Sequence, residues 1–182
     1  ALSSTQLRAL STDTFASLST SQVAAINSRA FAGLSSTQIQ ALSSEQIGSL
    51  TTALLALLSS AAVAGLTTED IDVLDPSDIA AINARAIAGL STANIAALDT
   101  AQLAALTSAQ LSALTTAQVR ALTSSQVAGL SSGQFAALSS TQIRTLSTDS
   151  IVALNTDQVA ALNSRVIGAL STEQLVAMTT AQ

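Results

Sequence analysis

One eight-residue unit repeats along the chain without insertion or deletion. Residues 35–42 read Ser-Ser-Thr-Gln-Ile-Gln-Ala-Leu, and residues 115–122 read Thr-Thr-Ala-Gln-Val-Arg-Ala-Leu. With positions counted from one after each Leu, position eight is Leu10, Leu18, Ile26, Leu34 and so on to Met178. Position five is Leu7, Phe15, Val23, Phe31, Ile39 and onward to Leu175. A fixed short period limits the available architectures more than any composition does.

A single long helix does not fit this period. At about 100° per residue an eight-residue step rotates the apolar pair by about 80° each time, so no stripe forms. A strand does not fit either, because positions five and eight have opposite parity and would point to opposite faces. Gln, Ala and Leu favour helix. The period therefore predicts a short helix within each octad, of about six or seven residues, broken and restarted once per repeat.

The restart has a chemical cause. Position one is Ser, Thr, Asn or Asp, as at Ser3, Ser35, Asn83, Asp99 and Thr115. These side chains accept a hydrogen bond from the orphan N–H groups of a new helix. Position four is most often Gln, as at Gln38, Gln46, Gln110, Gln118 and Gln142, which completes a capping box. Pro76 follows the cap Asp75 at the first helical position, where a missing N–H is harmless. Acids such as Asp13, Glu45, Glu69, Asp149, Asp157 and Glu173 occupy position three, and Asp70 and Asp78 position four. Arg8, Arg120 and Arg144 lie at position six, toward the helix end. Both placements suit the helix dipole.

So short a helix is unstable alone. Its two apolar side chains, three residues apart, share one face and cannot offset the ordering of eight residues. Stacking must supply the rest, so the fold class is an all-α solenoid of short capped helices, one per octad. We expect residues 1–182 to form one continuous array, a segment of a longer one since Ala1 stands mid-pattern, wound right-handed. Position seven is mostly Ala, Gly or Ser, as at Ala9, Ser17, Ala25, Gly33 and Ala41, which predicts close approach of another backbone.

Three stretches depart from the consensus. In residues 51–66, Leu54 and Ala62 replace Gln and Leu57 replaces the small residue; this predicts a thicker core, with a contact surface as the alternative. Residues 67–82 carry Glu69, Asp70, Asp72, Asp75 and Asp78. Their spacing matches no calcium loop, and they read as a solvated acidic edge. Asn27-Ser28-Arg29, Asn83-Ala84-Arg85 and Asn163-Ser164-Arg165 are near copies. Arg in a first turn opposes the dipole, so an acid or a helix-end carbonyl on an adjacent coil should satisfy it. If all three lie on one edge, a superhelical turn takes about 3.4 octads.

Composition narrows the function. There is no His, Cys, Trp or Tyr, and the six basic residues are all Arg. Without His, Cys or Lys the usual general base, thiol nucleophile and Schiff-base amine are missing. No enzyme is expected, and there are no candidate catalytic, cofactor-binding or metal-ligating residues. Common zinc ligands are absent. The net charge of −5 and pI of about 4.3 disfavour nucleic acid and anionic membrane surfaces. The apolar run at 53–58 is far shorter than the ~20 residues of a membrane span.

The runs from Leu106 to Leu114 and from Leu114 to Leu122 resemble a repeat of very large bacterial exoproteins. Such proteins are often labelled haem-utilisation/adhesion or calcium-binding and are typically exported by type I secretion. The resemblance covers the whole chain and implies an extracellular or cell-surface location. Haem ligation does not carry over, since His, Cys and Tyr are absent and Met178 occupies a core position. The expected role is that of a stalk, spacer or self-assembling filament segment, with end-to-end self-association and an unknown receptor. The alternative is a binding module presenting periodic Ser and Thr hydroxyls to a glycan or to ice.

Overall fold

The computed structural model describes residues 4–162 and 164–178, with the side chains of Ser4, Arg8, Ser164 and Arg165 outside the description. The octads are numbered from 1 (residues 3–10) to 22 (residues 171–178). Each holds one short helical element, of four to six residues where it is α-helical; octad 11 holds a 3-10 turn, Ile87–Gly89. No strand occurs among the described residues. The helices are slightly shorter than expected, because position eight leaves helical geometry. Leu106, for instance, has φ −59° and ψ 130°. It is followed by an extended N-cap, as at Thr107 with φ −72° and ψ 156°. Two extended residues thus redirect the chain, and no residue with positive φ is used among those described.

The caps form as the sequence predicts in most octads; Asn83 is an exception, since its Oδ1 accepts from the Arg85 N–H at 2.9 Å instead of from position four, and its octad forms only a 3-10 turn. The position-one side chain accepts from the N–H of position four in octad after octad, for example Ser35 from Gln38 and Thr115 from Gln118, both at 3.2 Å. The position-four Oε1 in turn accepts from the N-cap N–H, at 2.8 Å for Gln118. Pro76 opens its helix, Pro76–Ala81.

Packing follows the stacking argument. Each helix lies against those three octads before and after it: Ser44–Gly48 against Thr68–Val73, Thr92–Ala97 against Thr116–Ala121, Thr148–Val152 against Thr172–Ala177. Side-chain hydrogen bonds reach four octads back, as from Gln102 to Ile71 and Leu74. A superhelical turn therefore closes after more than three and fewer than four octads, an interval that contains the expected value. The core is one unbroken column of position-five and position-eight side chains from Leu7 to Leu170.

Three expectations need amendment. Position seven is half-buried in most octads, and the close approach is local. A methyl at Gly65 would strike the carbonyl oxygen of Ser36, and one at Gly89 that of Ser60, whereas Gly129 has open space around it. The two tight octads carry Ala62 and Ala86 at position four, so the smaller side chain lets successive turns close in. In residues 51–66, Leu54 does enter the core, but Leu57 is 36% exposed. The Arg expectation fails. Arg29 and Arg85 are exposed, and neither guanidinium has an acid or carbonyl partner among the described residues. Position three points to water throughout the described array, so these cations are solvated and need no partner. Asn163 and the Arg165 side chain lie outside the described residues.

Candidate functional site

Among the described residues no group of ionisable side chains is arranged to hold a metal ion, and no helix is long and apolar enough to cross a membrane. The position-one hydroxyls are engaged as caps by backbone N–H groups, as at Ser131 and Ser139. What the fold concentrates instead is a buried polar seam, built by position four.

Sequence reasoning gives position four a role only within its own octad. The structure gives it a second. Gln102, Gln110, Gln118, Gln126, Gln142, Gln158 and Gln174 are all 5% exposed or less. Each Nε2 donates to the carbonyls of positions five and eight, 31 and 28 residues back. Gln110 reaches Ile79 at 2.8 Å and Ile82 at 2.7 Å; Gln118 reaches Ile87 at 3.1 Å and Leu90 at 2.7 Å. Gln142 reaches Leu111 at 2.9 Å and Leu114 at 2.8 Å. Both carbonyls lie at the end of a helix in the preceding turn; that of position five also accepts the N–H of position eight, as Leu111 does from Leu114 at 3.2 Å, so the amide is its second donor. One primary amide therefore closes two helices: Oε1 caps the N-terminus of its own, and Nε2 caps the C-terminus of another. Gln38 and Gln46 begin the series, donating to Leu7 and Leu18. Asn94, one methylene shorter, still donates to Leu66 at 2.9 Å.

The seam is interrupted once at length. Octads 7–11 place Leu54, Ala62, Asp70, Asp78 and Ala86 at position four. Five successive octads exceed a superhelical turn, so one whole turn lacks an amide clamp. Here the reading of residues 67–82 as a solvated acidic edge fails in part. Glu69, Asp72 and Asp75 are exposed and Asp78 is half-buried, but Asp70 is only 2% exposed, because position four in the interior of the array lies on the seam side. Asp70 Oδ2 accepts from the Thr67 N–H at 2.9 Å, and Asp78 Oδ2 from the Asp75 N–H at 3.1 Å. Desolvation pushes the Asp78 carboxyl above its usual range, and the Asp75 carboxylate adds to this against the backbone hydrogen bond. Glu69 moves the other way: its own backbone N–H, then the Thr68 and Thr67 hydroxyls, stabilise the carboxylate.

Comparison with known proteins agrees with this repeat geometry. The family model described as the ALTTAQ repeat matches residues 23–52, 71–108, 95–132, 103–140 and 129–164. Among curated proteins, none is similar enough to count as a relative.

Proposed function

The chain belongs to the ALTTAQ repeat family, and from that premise we propose that it is a load-bearing spacer, a rod that holds other parts of a secreted or cell-surface bacterial protein at a distance. The observation that carries this reading is the repetition of one joint. From Gln102 to Gln174 nearly every turn is tied to the preceding turn by the same buried amide and the same apolar pair. Such an array lengthens by adding octads with no new type of interaction, as other solenoids do. The composition supplies no usual base or thiol, so the reading contains no catalytic step, and it calls for neither cofactor nor metal.

The same joint supports end-to-end assembly. The last described turn leaves Ile167 and Leu175 each 46% exposed, although position five is buried in the interior. In the first turn Leu10, Leu18 and Ile26 are only partly buried, and Gln22 is exposed. A turn from the same chain or from a second copy fits both faces alike. Cryo-electron microscopy of the purified chain, with light scattering across a concentration series, tests the assembly. Filaments of uniform diameter are expected. Single rods that stay monomeric at high concentration sink self-assembly and leave the spacer; compact, globular particles sink both.

A further inference from the structure

We propose that rods of this protein pair side by side, the arginine-bearing edge of one copy seated on the acidic edge of a second copy. The length of a turn fixes which side chains share an edge. Close approaches between successive turns span 25 residues from Ser112 to Ala137 and from Gly48 to Val73, 29 from Ser36 to Gly65, and 28 and 31 at the clamp of Gln110. They centre on 28, so residues 28 apart stand one above the other along the rod. Counted in cycles of 28, the exposed Arg29, Arg85 and Arg144 fall at places 1, 1 and 4. The exposed acids Asp13, Glu45, Glu69, Asp72, Asp99 and Asp157 fall at places 13 to 17. Places half a cycle apart face opposite ways, so cations and acids occupy opposite edges. Asp75 adjoins the acidic edge, while Arg120, Asp78 and Asp149 lie between the two. Glu173, in the last described octad, is the one described acid beside the arginines.

The two edges also share a spacing. Arg29, Arg85 and Arg144 follow one another at 56 and 59 residues, and Glu45, Asp99 and Asp157 at 54 and 58. Each step is two turns. A second rod displaced by half a turn therefore brings Arg29 level with Glu45, Arg85 with Asp99 and Arg144 with Asp157. Among the described residues no acid of the same chain pairs with these arginines, so they are available to a neighbour. One such surface pair is weak and is screened by salt; the contact gains strength from the number of rungs, which grows with the array. Because the edges are opposite, each pairing leaves an edge free on either side. The contact is heterologous and open, and it builds rafts rather than a closed dimer. It uses neither end of the rod and is separate from end-to-end stacking.

Small-angle X-ray scattering of the full chain, read as mass per unit length, tests this. Between about 0.5 M and about 20 mM salt the screening length grows several-fold. Mass per length should then rise about two-fold or more, the value for one rod beside another. Glu45→Arg/Asp157→Arg should abolish the rise. Position three accepts arginine in the native array, at Arg29 and Arg85. This variant loses two acids and gains two arginines, taking the net charge from −5 to −1, so weaker overall repulsion alone would predict more association. Arg29→Glu/Arg144→Glu should also remain single. An equimolar mixture of the two variants should recover the rise, because the exchanged ladders match again. Mass per length that ignores salt overturns the proposal, as does a rise that both variants retain. Growth in length at constant mass per length is end-to-end stacking alone; it overturns side-by-side pairing and leaves the spacer reading intact. If a double variant fails to fold, Arg29→Glu alone and the wild-type salt dependence still decide it.

Discussion

At the scale of the residue, the informative choice is Gln over Glu. A capping box accepts either, yet no octad places Glu at position four. A Glu side chain accepts from the N-cap N–H as well as Gln does. It cannot donate to the two carbonyls behind it, and at a position 2% exposed it brings a charge without a partner. Gln118→Glu should therefore destabilise the fold by about 2–4 kcal/mol at neutral pH, and Gln118→Ala by about 1–3 kcal/mol. Urea unfolding of both variants measures the difference; equal costs, or a milder Glu, would show that the amide donors contribute little. This preference was the one trace of the seam in the sequence. The apolar pair and the caps are legible there because they act within a few residues. The second task of Gln118 is not, because its acceptors Ile87 and Leu90 lie 31 and 28 residues away. The burial of Asp70 was hidden for the same reason.

At the scale of the element, helices of the same sequence type meet in two ways. Where position four is long, turns are held apart and joined by the amide. Where it is Ala62 or Ala86, backbones close in at Gly65 and Gly89. The sequence shows small residues at position seven without showing which of them a neighbour touches. Substitution separates the two cases. Gly89→Ala should cost about 1–3 kcal/mol, since the methyl must displace the backbone of Ser60. Gly129→Ala, in the helix Ser124–Gly129 with nothing nearby, should stabilise by about 0.5–1 kcal/mol. Thermal unfolding of the pair checks this, and a common sign for both changes would refute the distinction.

At the scale of the whole molecule, what matters is phase. Every clamp counts back a fixed number of residues, so the array tolerates loss only in units of eight. Deleting residues 115–122 should leave helical circular dichroism and a cooperative transition near the original midpoint. Deleting 115–118 alone should lower the midpoint by 10 °C or more, at an estimated ~2–4 °C per kcal/mol for a chain of this size, because position four would then meet the wrong carbonyls. Calorimetry on both deletions checks it, and similar midpoints would contradict the phase argument. The reach of the clamp also bounds the time at which each part of the rod can form. The clamp bonds span 31 residues at most, whatever the total length of the array. Loop closure of that size is fast and costs no more at one place than at another. A chain emerging slowly from a narrow exit can thus wind turn by turn on the part already formed, finishing each coil before the next is delivered.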